Sequence, residues 1–183
     1  MAQNRKISLK KKFVKILIMG LDNSGKSSIL LSLTKTTNLL SYFSLKPTKG
    51  INIVKIEDQD TSFNIWDFGG QIEYRSRYLD NFDKYTSEID QIIFVIDIQD
   101  IHRYGEALNY FEEILKLIPN KKEIQFAIFL HKFDPNIEVL DNYTEEKINA
   151  NLVNKLEKLI PPEMTYKIFK TTIYTIFQKT LFR

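Results

Sequence analysis

The chain has 183 residues, 43% of them hydrophobic and 27% charged, with a net charge of +3 and no cysteine. That length suits one domain with a sizeable core, no apolar run approaches the roughly 18 residues a membrane span needs, and so small a charge gives no footing for nucleic-acid binding. The missing cysteine excludes disulfides, thiolate metal sites, prenylation and palmitoylation, and is compatible with the cytoplasm, the expected location.

Arg5, Lys6, Lys10, Lys11, Lys12 and Lys15 make the first fifteen residues locally basic. Residues 1–12 read as a solvated lead-in, with at most peripheral contact to an acidic membrane surface, and residues 13–183 as the folded domain. Ala2 stands where myristoylation requires Gly, and no apolar signal core precedes a small-residue cleavage site, so no lipid anchor is expected.

Residues 13–19 (FVKILIM) read as a first buried strand, and residues 26 to about 40 as a helix carrying Ile29, Leu30 and Leu33 on one face. INIVKI (51–56) and SFNIW (62–66) alternate apolar and polar residues around DQD, which predicts an antiparallel hairpin. QIIFVID (91–97) and QFAIFL (125–130) are near-continuous apolar runs, the pattern of parallel strands covered on both faces. Between them, Leu108, Phe111, Leu115 and Ile118 mark a helix over 101–117 that Pro119 terminates. The polar stretch 134–142 reads as a loop, and Ile148, Leu152, Leu156 and Leu159 mark a helix over 144–160 that stops at Pro161 and Pro162. A last strand near 166–169 leads into a short terminal helix. Strands alternating with helices predict an α/β fold: a six-stranded, mostly parallel sheet with one antiparallel strand and helices on both faces. In such sheets ligands bind beyond the carboxyl ends of the strands, where every informative motif of this chain falls.

GLDNSGKS (20–27) satisfies the phosphate-loop pattern GxxxxGK[ST] and lies between a strand and a helix. Gly25 permits the turn and close approach, and backbone N–H groups through Asp22, Asn23, Ser24, Gly25 and Ser28 can wrap phosphate oxygens. Lys26 can reach the β and γ oxygens, and the Ser27 hydroxyl can ligate Mg²⁺. In DFGG (67–70), Asp67 at a strand end can hold Mg²⁺ through a water, and Gly70 can offer its N–H to a γ-phosphate. Gln71 beside it can orient an attacking water, the role that separates hydrolysis from binding. Thr48, in KPTKG (46–50), can add a hydroxyl to Mg²⁺ from a loop ordered by the third phosphate. Lys26, Thr48 and Gln71 are thus the candidate catalytic residues. Plainer readings are a strand-end cap for Asp67 and a Pro-initiated turn for Thr48.

The strand QFAIFL runs into HKFD (131–134). An Asp134 carboxylate can accept both N1–H and the exocyclic N–H of guanine, whereas adenine would oppose it with an acceptor. Lys132 can lay its stem across the base, and N–H groups around Thr172 and Ile173 can meet the guanine oxygen. His131 alone reads as a partly buried strand-end histidine with a local hydrogen bond. No metal-binding set surrounds it or His102.

In this order the motifs resemble those of the Ras-superfamily small GTPases over nearly the whole chain. GLDNSGKSS, the PTKG loop and SFNIWDFGGQ are most similar to the Arf and Arf-like branch, while HKFD and FKTTIYTIF (169–177) resemble the Rag/Gtr GTPases. The resemblance implies the P-loop fold, a guanine-nucleotide switch binding GTP or GDP with Mg²⁺, slow hydrolysis of GTP, and an effector, an exchange factor and an activating protein as partners. The Rag-like features imply the alternative, a non-catalytic nucleotide-holding subunit paired with another GTPase or a longin- or roadblock-type partner. His131 replaces the asparagine that in most relatives ties the base loop to the phosphate loop. Ala2 and a lysine-rich lead-in replace the lipidated N-terminal helix of Arf proteins.

Overall fold

The computed structural model describes residues 11–34, 38–119 and 121–174. The expected terminal helix and most of the basic lead-in lie outside them. The chain runs β1 (Lys12–Met19), α1 (Lys26–Ser32), α2 (Leu39–Phe43), β2 (Ile51–Asp58), β3 (Thr61–Phe68), α3 (Ile72–Leu79) and α4 (Phe82–Thr86). It continues with β4 (Gln91–Asp97), α5 (Tyr104–Leu117), β5 (Gln125–His131), α6 (Glu145–Ile148), α7 (Asn154–Leu159) and β6 (Tyr166–Lys170).

One six-stranded sheet has the order β2-β3-β1-β4-β5-β6. Only β2 and β3 pair antiparallel; the remaining neighbours are parallel. In β1 the alternation of the strand divides the core, sending Leu17 and Met19 to one face and Ile16 and Ile18 to the other. The first face is the larger and is covered by α5, α6, α7 and the turn joining the last two, through Phe111, Ile114, Ile148, Leu152 and Leu156. The second is covered by α1 through Leu30, packed with Ile65 and Val95.

Register brings the functional strand ends to one side. Ile18 pairs with Asp67, Met19 with Phe94, and Asp97 with His131, so the turns after β1, β3, β4 and β5 leave the sheet together. Thr171 joins them by donating its N–H to the Leu130 carbonyl at 2.9 Å.

Three regions differ from expectation. The helix expected over 26–40 is broken: α1 ends at Ser32, and α2 starts where the Asn38 side chain accepts from the Ser41 N–H, a local cap that competes with continuation. The loop over 134–142 contains two 3₁₀ turns and buries Ile137. The helix over 144–160 is interrupted by a π-helical turn at Asn149–Val153. Helices α3 and α4 were not evident in the sequence. They are held by Tyr78 and Phe82, by edge-on contacts of Phe68 with Tyr78 and Tyr85, and by Arg75, which is buried against Glu106 and the Tyr110 ring.

Candidate nucleotide site

The phosphate loop winds through left-handed conformations at Asn23 (φ 58°) and Gly25 (φ 94°) before α1 begins. At Gly25 a Cβ would lie 2.3 Å from the His131 ring, so glycine is required by both backbone and space. Gly70 is required by space alone, since a Cβ there would meet the Asp22 backbone nitrogen at 2.1 Å. The DFGG turn therefore lies directly against the phosphate loop.

Lys26 is 5% exposed, and its Nζ donates to the Leu21 carbonyl at 2.6 Å and to Ser24 Oγ at 3.3 Å. Burial lowers its pKa to about 8, only partly offset by the Asp67 and Asp22 carboxylates. A buried ammonium in this position is better satisfied by an anion than by two neutral oxygens.

Ser27, Thr48 and Asp67 come from α1, the loop before β2 and the end of β3, yet their oxygens meet. Ser27 Oγ donates to Asp67 Oδ2 at 2.7 Å, Thr48 Oγ1 donates to the same oxygen at 3.0 Å, and the two hydroxyls are 2.9 Å apart. Asp67 is buried, and its Oδ1 has no protein partner. Two hydroxyls and a carboxylate with spare acceptor capacity are hard oxygen donors, the set that fits Mg²⁺. Among the described residues no cluster of three or more His, Cys, Asp or Glu side chains could hold a metal, and three protein oxygens leave the rest of an octahedral shell to water or a ligand.

Gln71 caps the start of α3, and its Oε1 is likewise buried without a partner. It lines a cavity of about 260 Å³ together with Asp22, Asn23, Gly25, Lys26, Ser27, Ser28, Thr48 and Gly70. Ser24, buried at 1% exposure, faces Lys26 instead.

The base end adjoins it. His131, Lys132, Asp134 and Ile173 line a second cavity of about 330 Å³, and Gly25 and Ser28 line both, making one continuous groove. Asp134 accepts from the Thr172 hydroxyl at 2.6 Å and from the Gln99 amide at 2.8 Å. Lys132, at φ 60°, sets its ammonium 2.6 Å from Asp97. His131 is 3% exposed, with Nδ1 2.9 Å from Thr171 Oγ1 and its ring against Gly25. Burial, with Lys132 nearby, pushes its pKa below the usual histidine value, which favours the neutral ring. The local hydrogen bond expected of a strand-end histidine is present, and so is contact between the base loop and the phosphate loop, made here by ring packing.

Sequence reasoning missed three contributors. Arg103, just ahead of α5, donates to Asp22 Oδ1 at 2.9 Å, to the Asp22 carbonyl at 2.7 Å and to Asp100 at 2.6 Å, clamping the phosphate loop from behind. Gln99 reaches Asp134. Leu39, Tyr42 and Phe43 of α2 bring apolar surface to the base cavity. The approach of Arg103 to Asp22 spans 81 positions and leaves no local signal; the aromatic pair in α2 lies just past the helix expected over 26 to about 40, in a stretch assigned to no element.

The sequence model of the ADP-ribosylation factor family matches residues 1–178. This chain belongs to that family. The Arf-family assignment agrees with curated relatives. The chain is 33% identical over 157 residues to ADP-ribosylation factor-like protein 2 of Arabidopsis thaliana, covering 79% of this chain and 80% of that protein. It is 36% identical over 132 residues to ADP-ribosylation factor-like protein 2 of Dictyostelium discoideum, covering 71% and 66%. Among solved structures, the Arl6 BBS3 small GTPase of Trypanosoma brucei, determined with the nucleotide analogue GppNp, aligns with a TM-score of 0.68 at 22% identity over 88% of this chain and 87% of that one. That likeness places the fold among small GTPases. As an Arf-family small GTPase, the protein is a nucleotide-binding switch of a family of GTP hydrolases.

Proposed function

We propose that this Arf-family protein holds GTP or GDP along the groove, phosphates at residues 22–28 and guanine at Asp134, with Mg²⁺ at Ser27, Thr48 and Asp67, and that it hydrolyses GTP slowly to GDP and phosphate. The observation that carries this reading is the meeting of the Ser27, Thr48 and Asp67 oxygens within 3.0 Å from three separate elements, one residue from the buried Lys26. A buried carboxylate with one unpaired oxygen, met by two half-buried hydroxyls, is costly unless a ligand uses it.

Lys26 binds the β- and γ-phosphates and sets its ammonium charge against them. Mg²⁺ when bound supplies further charge against that developing on the transferring phosphoryl group. Gln71 offers its unpartnered Oε1 to a water proton and so orients the water for in-line attack, while the Gly70 N–H faces the γ-phosphate. Water adds to the γ-phosphorus, the bond to the β–γ bridging oxygen breaks, and GDP leaves with that electron pair. Because Thr48 and Gln71 sit on separate segments that both meet the third phosphate, its loss releases both. That release is what effectors read. Arg103 is committed to Asp22 and Asp100 behind the loop, so it is not free to reach the transferring group. An activating protein supplies an arginine there, and an exchange factor reopens the site for GTP.

Chromatography of protein loaded with GTP and Mg²⁺ tests this. Conversion to GDP over hours is expected, slowed at least about tenfold by Gln71→Leu. Absence of conversion, with Gln71→Leu indistinguishable from the parent, would leave only the nucleotide-holding subunit.

A further inference from the structure

The base-recognition carboxylate does not stand by itself. Asp134 Oδ1 accepts from the Thr172 hydroxyl, and Oδ2 accepts from Gln99 Nε2 at 2.8 Å. The same Nε2 donates to the Lys132 carbonyl, also at 2.8 Å. Both neighbours are acceptors, so the amide orientation is forced: the nitrogen must face them. Gln99 itself is anchored through its backbone. Its N–H donates to Asp97 Oδ1 at 2.9 Å, and its carbonyl accepts from the Tyr143 hydroxyl at 3.1 Å. Asp97 Oδ2 in turn takes the Lys132 ammonium. The turn after β4 thus holds the loop after β5 at three points: a side-chain carboxylate, a main-chain carbonyl and an ammonium. That loop has reason to need holding, because Lys132 occupies the left-handed region, at φ 60°, where a residue with a Cβ is strained.

We propose that Gln99 is a positioning residue for base discrimination, fixing the Asp134 carboxylate so that both of its oxygens face the guanine N1–H and exocyclic N–H. The inference rests on the guanine reading of Asp134 given above. An ionised carboxylate has about four lone-pair directions. One on each oxygen is used by Thr172 and Gln99, which removes rotation about the terminal bond and leaves each oxygen one direction for the base. Without Gln99, Oδ2 is held only through its sister oxygen, and the carboxylate can turn to satisfy N1–H alone. The exocyclic amine then contributes less.

Inosine retains N1–H and lacks the exocyclic amine, so the ratio of IDP to GDP dissociation constants reads the second oxygen directly. Competition binding with GDP and IDP is compared for the parent, Gln99→Ala and Gln99→Met; the latter keeps side-chain bulk without the amide. Gln99 is exposed, and both variants are expected to fold. The expected result is a parent that prefers GDP and a ratio that falls by about tenfold in both variants, the value of one hydrogen bond to a charged group. A ratio that stays within about twofold of the parent's, whether or not both affinities fall together, overturns the proposal, because a role in loop stability alone weakens both ligands equally. A parent that binds GDP and IDP with equal strength overturns the guanine reading itself, an outcome distinct from the failure of Gln99.

Discussion

The two ends of the groove are built on opposite principles. At the base end the polar groups are paired within the protein: Asp134 with Thr172 and Gln99, Lys132 with Asp97, His131 with Thr171. At the phosphate end they are gathered without being satisfied. Asp67 Oδ1 and Gln71 Oε1 are buried with no partner, and the Lys26 ammonium rests on neutral oxygens. A paired network holds its shape before a ligand arrives, whereas an under-satisfied one stores free energy that an anion and a cation release. The base end therefore selects by shape and the phosphate end contributes most of the affinity.

Breaking the phosphate end should have the largest effect. Lys26→Met is expected to weaken GTP binding by at least about a hundredfold, since a buried charge contact is lost; direct titration measures it. The same change should help the protein when no nucleotide is bound. The Lys26 pKa in the folded protein, about 8, lies below its ordinary 10.5. Between those values the unfolded chain carries a proton that the folded one has released, so stability rises with pH across that window, and the cost of the buried charge is fully present below it. Nucleotide-free parent protein should gain about 2 kcal/mol relative to Lys26→Met between pH 8 and 10 in denaturant melts. Lys15, also lowered by burial, contributes to both proteins and cancels. The buried tyrosines, pushed upward, act in the opposite sense only above about pH 10. Equal slopes for the two proteins would contradict the contrast between the ends.

Arg103→Ala sharpens the comparison with a smaller effect. It removes the clamp behind the phosphate loop without touching the groove, and the guanidinium is partly exposed, at 30%. A loss of about 1 kcal/mol in stability and a severalfold faster release of GDP are expected, with no change in the preference for GDP over IDP. Release of a fluorescent GDP analogue reports the rate.

The strands and the phosphate motif were legible because both are local. Residues 91–97 and 125–130 announce buried strands by composition, and 20–27 by spacing. What was not legible depends on distant partners. Helix α3 hides its packing face because Arg75 occupies a buried position that apolar periodicity would leave polar, and only Glu106 and Tyr110 of α5 explain it. Gln99 looks like a loop residue, and Arg103 like a polar residue in the first turn of the helix expected over 101–117, until the ends of β4, β5 and β1 are brought together by register. The start of α2 was marked by Asn38, a capping residue that fell inside the helix expected over 26 to about 40.

The most direct test is titration of nucleotide-free protein with GTP and with ATP, each in Mg²⁺ and in excess chelator. A single nucleotide spanning Lys26 and Asp134, with a cation at Ser27, Thr48 and Asp67, requires GTP to bind at least about a hundredfold more tightly than ATP, and chelation to weaken GTP by a comparable factor. Equal affinity for the two nucleotides, or GTP binding indifferent to Mg²⁺, would contradict it.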